Sequence, residues 1–168
     1  MTETADSGMQ SAGIRIRRAT AEHLPHVIDL DARVTEEEKP EFWQDIFDRY
    51  ATRRVDQRFF LVAEKEGFDG ILGLIAGEVR GWEFGSQPCG WIFAVSVDPN
   101  ERQQGIGGTL FSEICKEFQQ AGMSTVRTMV RRSSPLHMSF FRSEGMMAGP
   151  YTQLEMHLDE GDSVPSRI

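Results

Sequence analysis

Cysteine is scarce in this chain and long apolar runs are missing. Cys89 and Cys115 are its two cysteines, too few for a disulfide framework, and no His or Cys cluster has zinc-ligand spacing. A reduced, cytoplasmic setting without a bound metal is the expectation. No apolar stretch approaches the ~20 residues that a membrane-spanning helix needs. Residues 1–13 carry neither a basic start nor an apolar centre, so they read as a disordered lead rather than a secretory signal. Basic charge is in short supply too. Eighteen Lys and Arg against 26 Asp and Glu leave a net charge of −8, which argues against nucleic acid as the main partner and permits a cationic one. No internal repeat and no second-domain boundary is visible, and 168 residues make about one ordinary domain.

What the chain does have is concentrated between Trp91 and Gly122. Trp91 to Val97 is a short apolar run rich in aromatic and β-branched residues, as in a buried strand. Asp98-Pro99 ends it, because proline has no N–H for a ladder. Arg102 to Gly108 follows, then Leu110, Phe111, Ile114, Cys115 and Phe118 at helical spacing, closed by Gly122. A helix that begins in glycines offers unpaired backbone N–H groups at the positive end of its dipole, which suits a pyrophosphate. Glycine would let phosphate oxygens reach that backbone. A plain tight turn gives the same strand–glycine–helix pattern. No Lys-Ser or Lys-Thr follows the glycines, which excludes a Walker-type loop. Gly105, Gly107 and Gly108 do not fit the dinucleotide spacing G-x-G-x-x-G either.

The remaining elements are read from period and punctuation. Ile14 to Arg17 alternates as a first strand. Thr20 is placed to cap a helix carrying Leu24, Val27, Ile28 and Leu30, and Pro40 to open a second with Phe42, Trp43, Ile46, Phe47 and Tyr50 on one side. That aromatic stripe is core, or else a ligand cage. Phe59–Ala63 and Ile71–Val79 form a hairpin around Gly67-Phe68-Asp69-Gly70. A loop from Gly81 to Gly90, with Trp82 and Phe84, leads back to the Trp91 strand. Val126–Arg132 is a further strand, a short helix carries Leu136 to Phe141, and Tyr151–Leu158 alternates as a late strand. Residues 159–168 read as a loose tail.

Val97-Asp98-Pro99 followed by Arg102-x-x-Gly105-x-Gly107 resembles the acyl-CoA-binding signature of the GNAT superfamily of N-acetyltransferases. A second segment resembles it independently. Ser134-x-x-His137-x-x-Phe140-Phe141-x-x-x-Gly145-Met146 keeps the spacing, the first aromatic and the glycine of the family's Asn-x-x-Ala-x-x-Phe-Tyr-x-x-x-Gly-Phe. The two cover Gly90 to Met146, and the element order extends the likeness to residues 14–158. The implied fold is α/β, a mixed and mostly antiparallel sheet flanked by helices.

The resemblance implies attack of a primary amine on acetyl-CoA in a ternary complex, with a protein or peptide amine among the acceptors; it leaves a homodimer open. It places the pantetheine arm along Val95, Ser96 and Val97. The pyrophosphate would lie at Arg102, Gln103, Gln104, Gly105, Ile106, Gly107, Gly108 and Thr109, with further contacts at Ser134, His137 and Phe141. An N–H near Val97 would polarise the thioester carbonyl. The family's tyrosine is replaced by Phe141, which cannot protonate the leaving thiolate. Unassisted departure near pH 7 costs only about 2 kcal/mol for a thiol of pKa ~8.5. Ser139 or a water would substitute, although Ser139 also reads as a solvent-facing helix residue. The two places where relatives carry a basic glutamate hold Phe93 and Met129. Glu78 and Glu83 remain as bases, or as ordinary surface carboxylates. Without a strong base, an α-amine, which costs ~1 kcal/mol to deprotonate at pH 7, suits better than a lysine at ~4–5. His137 would sit against the cofactor arm. The other readings are a noncatalytic acyl-CoA-binding regulatory module, suggested by Phe93, Met129 and Phe141, and a structural interaction domain without cofactor.

Overall fold

The computed structural model describes residues 13–158. The expected lead is thus described only at Gly13, and the expected tail, 159–168, lies outside the described residues. Five strands form one sheet in chain order: β1 (Ile14–Arg18), β2 (Arg58–Lys65), β3 (Gly73–Arg80), β4 (Cys89–Val97) and β5 (Val126–Thr128). The first four pair antiparallel and β5 joins β4 in parallel. Helices α1 (Leu24–Thr35) and α2 (Pro40–Tyr50) cover one face, and α3 (Ile106–Gln120) with α4 (Pro135–Ser143) the other. This is the expected mixed, mostly antiparallel architecture.

Each face has its own core, sorted by the two-residue period of the strands. Phe60, Val62, Leu74 and Ala76 meet Val27, Leu30, Trp43, Ile46 and Phe47 from α1 and α2. Phe59, Leu61, Ile75 and Ile92 meet Ile106, Leu110, Ile114 and Phe118 from α3. Phe118 seats α3 deeply, because β3 and β4 offer it glycines. A Cβ on Gly90 would lie 2.5 Å from its ring, and one on Gly77 2.9 Å. Trp43 Nε1 donates to the buried Asp31 carboxylate at 2.9 Å, and Lys39 Nζ pairs with the same oxygen at 2.9 Å, which fixes α2 to α1.

Three sequence expectations change. Thr20 caps a single 3-10 turn, Ala21–His23, reciprocally with His23, and α1 starts only after it. The strand expected over Val126–Arg132 ends at Thr128, whose hydroxyl donates to Ile92 C=O at 2.8 Å. Tyr151–Leu158 forms no strand pairing among the described residues and is exposed throughout. Its alternation is a strand pattern that joins neither edge of the sheet among the described residues.

Candidate active site

The site follows from an irregularity in β4. Its register with β3 slips between Ala76 and Gly77, leaving Phe93 as an extra residue. Phe93 and Ala94 consequently both pack toward α1 and α2, as two residues of a β-bulge do. The ladder to β5 stops at the same place, since Ile92↔Thr128 is its last pair. Beyond it, residues 93–97 of β4 have β3 on one side and an opening on the other.

The direction of the free backbone groups is set by alternation. Asp98 N–H donates to Leu72 C=O at 2.8 Å, so Asp98, Ser96 and Ala94 are the residues that exchange hydrogen bonds with β3. The N–H and C=O of Val95 and Val97 therefore face the opening. Both residues, and Ser96 between them, are half-buried.

A turn then carries the chain into α3. Asp98 is 3% exposed; its carboxylate accepts from Asn100 N–H at 2.9 Å and pairs with Arg33 of α1. Burial alone would raise its pKa, but these two partners win and hold it below the ordinary carboxylate value. Arg102, Gln103 and Gln104 are exposed, Gln103 with φ +72°. Gly105 caps α3 at φ +77°, a left-handed position with nothing within 4 Å of where a Cβ would stand. The first helical bond is Thr109 N–H to Gly105 C=O at 3.0 Å, so the N–H groups of Ile106, Gly107 and Gly108 have no partner within the helix. The Thr109 hydroxyl donates to the same carbonyl, and the Ile106 side chain is buried.

Gly107 and Gly108 also face side chains that a Cβ would crowd. A Cβ on Gly107 would stand 2.9 Å from the Phe140 ring, and one on Gly108 would stand 3.1 Å from Glu144. Phe140 of α4 and Glu144 just after it occupy their sides, leaving the N–H groups directed out of the helix end. Ser134 Oγ lies 3.0 Å from His137 Nδ1 at the start of α4, with His137 exposed. Phe141 is buried against Phe111 and Phe140, and Ser139 is exposed.

On the α1–α2 side of the opening, Tyr50 O–H donates to Glu78 Oε2 at 2.9 Å and Arg80 Nε to Glu78 Oε1 at 3.2 Å. The Tyr50 ring packs on Phe93 with centroids 4.8 Å apart. Burial, and then the Glu78 carboxylate, push the phenol pKa up, so it stays protonated and donating. Glu83, by contrast, is exposed on the loop before β4, as are Trp82 and Phe84. Met129 is exposed just beyond β5.

The model of the acetyltransferase (GNAT) family matches residues 24–145. The chain belongs to the GNAT family. Solved structures agree in fold. An aminoglycoside acetyltransferase from an uncultured soil metagenomic sample, in complex with sisomicin, has a TM-score of 0.67 and 21% identity over 87% of this chain and 97% of that one. Aminoglycoside N-acetyltransferase AAC(6')-Iy, bound to the bisubstrate analog CoA-S-monomethyl-acetylneamine, has a TM-score of 0.75 and 14% identity over 88% of this chain and 100% of the other. A transcriptional regulator from Bacillus halodurans C-125 reaches 0.70 at 21% identity, over 86% and 99%. No curated protein matches the sequence. Among the described residues of this GNAT protein, no helix is long and apolar enough to cross a membrane.

The aromatic stripe of α2 hid one residue of interest. Trp43, Ile46 and Phe47 are core as their spacing suggests, but Tyr50 ends the stripe with its hydroxyl on Glu78. Arg33 gave no sequence signal, because it meets Asp98 from a helix 65 residues away.

Proposed function

We propose that this GNAT protein is an N-acetyltransferase that moves the acetyl group of acetyl-CoA to a primary amine by direct attack, in the cytoplasm, with a protein or peptide amine among its acceptors. One observation carries the reading: β4 has unpaired backbone groups at Val95 and Val97, a short turn before the first turn of α3, whose N–H groups donate to no side-chain cap. A pantetheine amide can pair with such an edge as a further strand would. The N–H groups of Ile106, Gly107 and Gly108 suit a diphosphate, with Arg102 to Gln104 and Thr109 around it. The open space at Gly105 leaves room for one. Acetyl-CoA supplies the activated acyl group. Val97 N–H, or Val95 N–H, would take the developing oxyanion, and holding both substrates together would give much of the rate.

On the acceptor side, Glu78 pairs with Trp91 beside the bulge, and Tyr50 and Arg80 hold its carboxylate in place. It would orient the ammonium and accept its proton. Glu83 and Ser139, both exposed, are the weaker choices. Phe141, buried in the core, adds packing against Phe111 of α3 and no proton. A noncatalytic acyl-CoA-binding module is the second reading, favoured by Phe93 and Phe141 where relatives have reactive groups.

Titration calorimetry with CoA and a thiol-release assay with acetyl-CoA and an amine panel test both. Heat with CoA and thiol release support the enzyme. Heat without release supports the binding module, and no heat removes both.

A further inference from the structure

We propose that the acceptor amine carries an acid group, a carboxylate or phosphate a few bonds from its nitrogen, and that Arg58, Arg80 and Arg127 receive it. This rests on the acetyl-transfer reading and narrows it. Strand register builds the receiving surface. Arg58 of β2 faces Glu78 of β3, Glu78 faces Trp91 of β4, and Trp91 faces Arg127 of β5. Directly paired residues share a face, and Glu78 marks it as the α2 side through its bond to Tyr50. Val126, one residue before Arg127, packs into the opposite core, as alternation requires. Arg80, two residues after Glu78, lies with its guanidinium 4.2 Å from the Trp91 ring centroid.

Charge in this row runs against the rest of the molecule. The chain carries a net −8, yet three half-buried arginines stand in or beside this row, in which Glu78 is the one carboxylate. That carboxylate is already shared by Arg80 and Tyr50. Arg58 donates to the carbonyl of Arg49 at 3.0 Å and lies 5.2 Å from the Tyr50 ring centroid. Arg127 donates to Ser86 Oγ at 2.8 Å and lies 4.7 Å from the Tyr151 ring centroid. Neither has an ion pair among the described residues. A cation partly withdrawn from water is costly without a counterion. Guanidinium groups held against aromatic rings keep their donor edges free for the two oxygens of a carboxylate or phosphate.

Position adds the chemistry. Trp91 stands two residues before the Phe93 bulge, about 7 Å along the strand, and the Val95–Val97 edge begins just past it. An acid seated on the arginines leaves its amine at that edge only when few bonds separate them. Amino acids and their phosphonate counterparts meet this condition. Polycationic amines would bring like charge to the row.

The test compares matched acceptors with the full-length protein: free amino acids, the corresponding carboxamides, aminoalkylphosphonates and an aminoglycoside. Thiol release from acetyl-CoA is the readout, with CoA binding followed by calorimetry. The expected result is at least a tenfold higher kcat/KM for the best acid than for its amide. Arg58→Gln and Arg127→Gln should each lower acid turnover more than amide turnover, bringing the ratio within threefold, while Tm and CoA heat show both variants folded. A preference for phosphonates over carboxylates would identify phosphate as the anion. Equal or better use of amides or the aminoglycoside, or a ratio unchanged in both variants, overturns the inference. If no amine in the panel is turned over, thermal shifts of the CoA-loaded protein with N-acetyl amino acids and their amides decide in the same way; no preference for the acids overturns it. Absence of CoA heat would instead remove the acetyl-transfer reading itself.

Discussion

Glu78 owes its place in the site to its neighbours. Tyr50 reaches it from α2, Arg80 from its own strand, and Phe93 packs on the Tyr50 ring. Glu78→Gln should lower kcat by about a hundredfold, the low end for a lost general base. Tyr50→Phe removes a hydrogen bond to a charged group, about 1.5–3 kcal/mol, and should lower kcat by roughly tenfold. In both variants calorimetry should find CoA affinity within about twofold of wild type; a loss of CoA binding would place these residues on the donor side instead. Glu78 was legible in the sequence only as a candidate, one of two carboxylates near the β4 strand, and nothing ranked it above Glu83. Ranking needed the third dimension, since Tyr50 lies 28 residues away and its helical spacing is that of a core residue.

At the scale of elements, the turn between β4 and α3 is held from two directions. Asp98 ties its start to α1 through Arg33, and Phe140 packs α4 on its end. The folded pKa of Asp98 lies below its ordinary 3.8. Its stabilisation is therefore complete above about pH 4 to 5 and fades as pH falls through the folded value. The stability gap between wild type and Asp98→Asn should be constant from pH 5 to 8 and shrink in stronger acid, as read by urea unfolding. A gap that widened in acid would reverse the assigned shift. Gly105→Ala should cost about 1–2 kcal/mol, from its left-handed backbone, whereas Gly107→Ala should cost about 1–3 by pushing on Phe140. Equal Tm for wild type and Gly107→Ala would mean that α4 does not press there. The glycine spacing was plain from the sequence. What each glycine is for was not, because the pattern of the loop is silent about the helix packed against it.

For the whole molecule, element order and periodicity conveyed the architecture well, because each core face is written in alternating strand residues and in helix stripes. They failed at Tyr151–Leu158, where the pattern is present and no partner strand is among the described residues. The cysteines lend themselves to a further check. Cys89 is buried, and burial, with Glu144 adding, pushes the Cys115 thiol pKa up. A disulfide reagent at pH 7 should thus label the native protein slowly, with both thiols reacting promptly only after urea is added. Prompt native labelling would show the α3 face to be looser than its packing implies.

The short ladder between β4 and β5 also has a kinetic side. Amides of Ala94 and Ser96 are zipped to β3, while those of Val95 and Val97 look out through a seam where the next strand has peeled away. In hydrogen exchange they should therefore swap protons far faster than their immediate neighbours, a toothed profile along one strand. A ligand lying in the seam would smooth that profile, becoming in effect the missing tooth-row of the sheet.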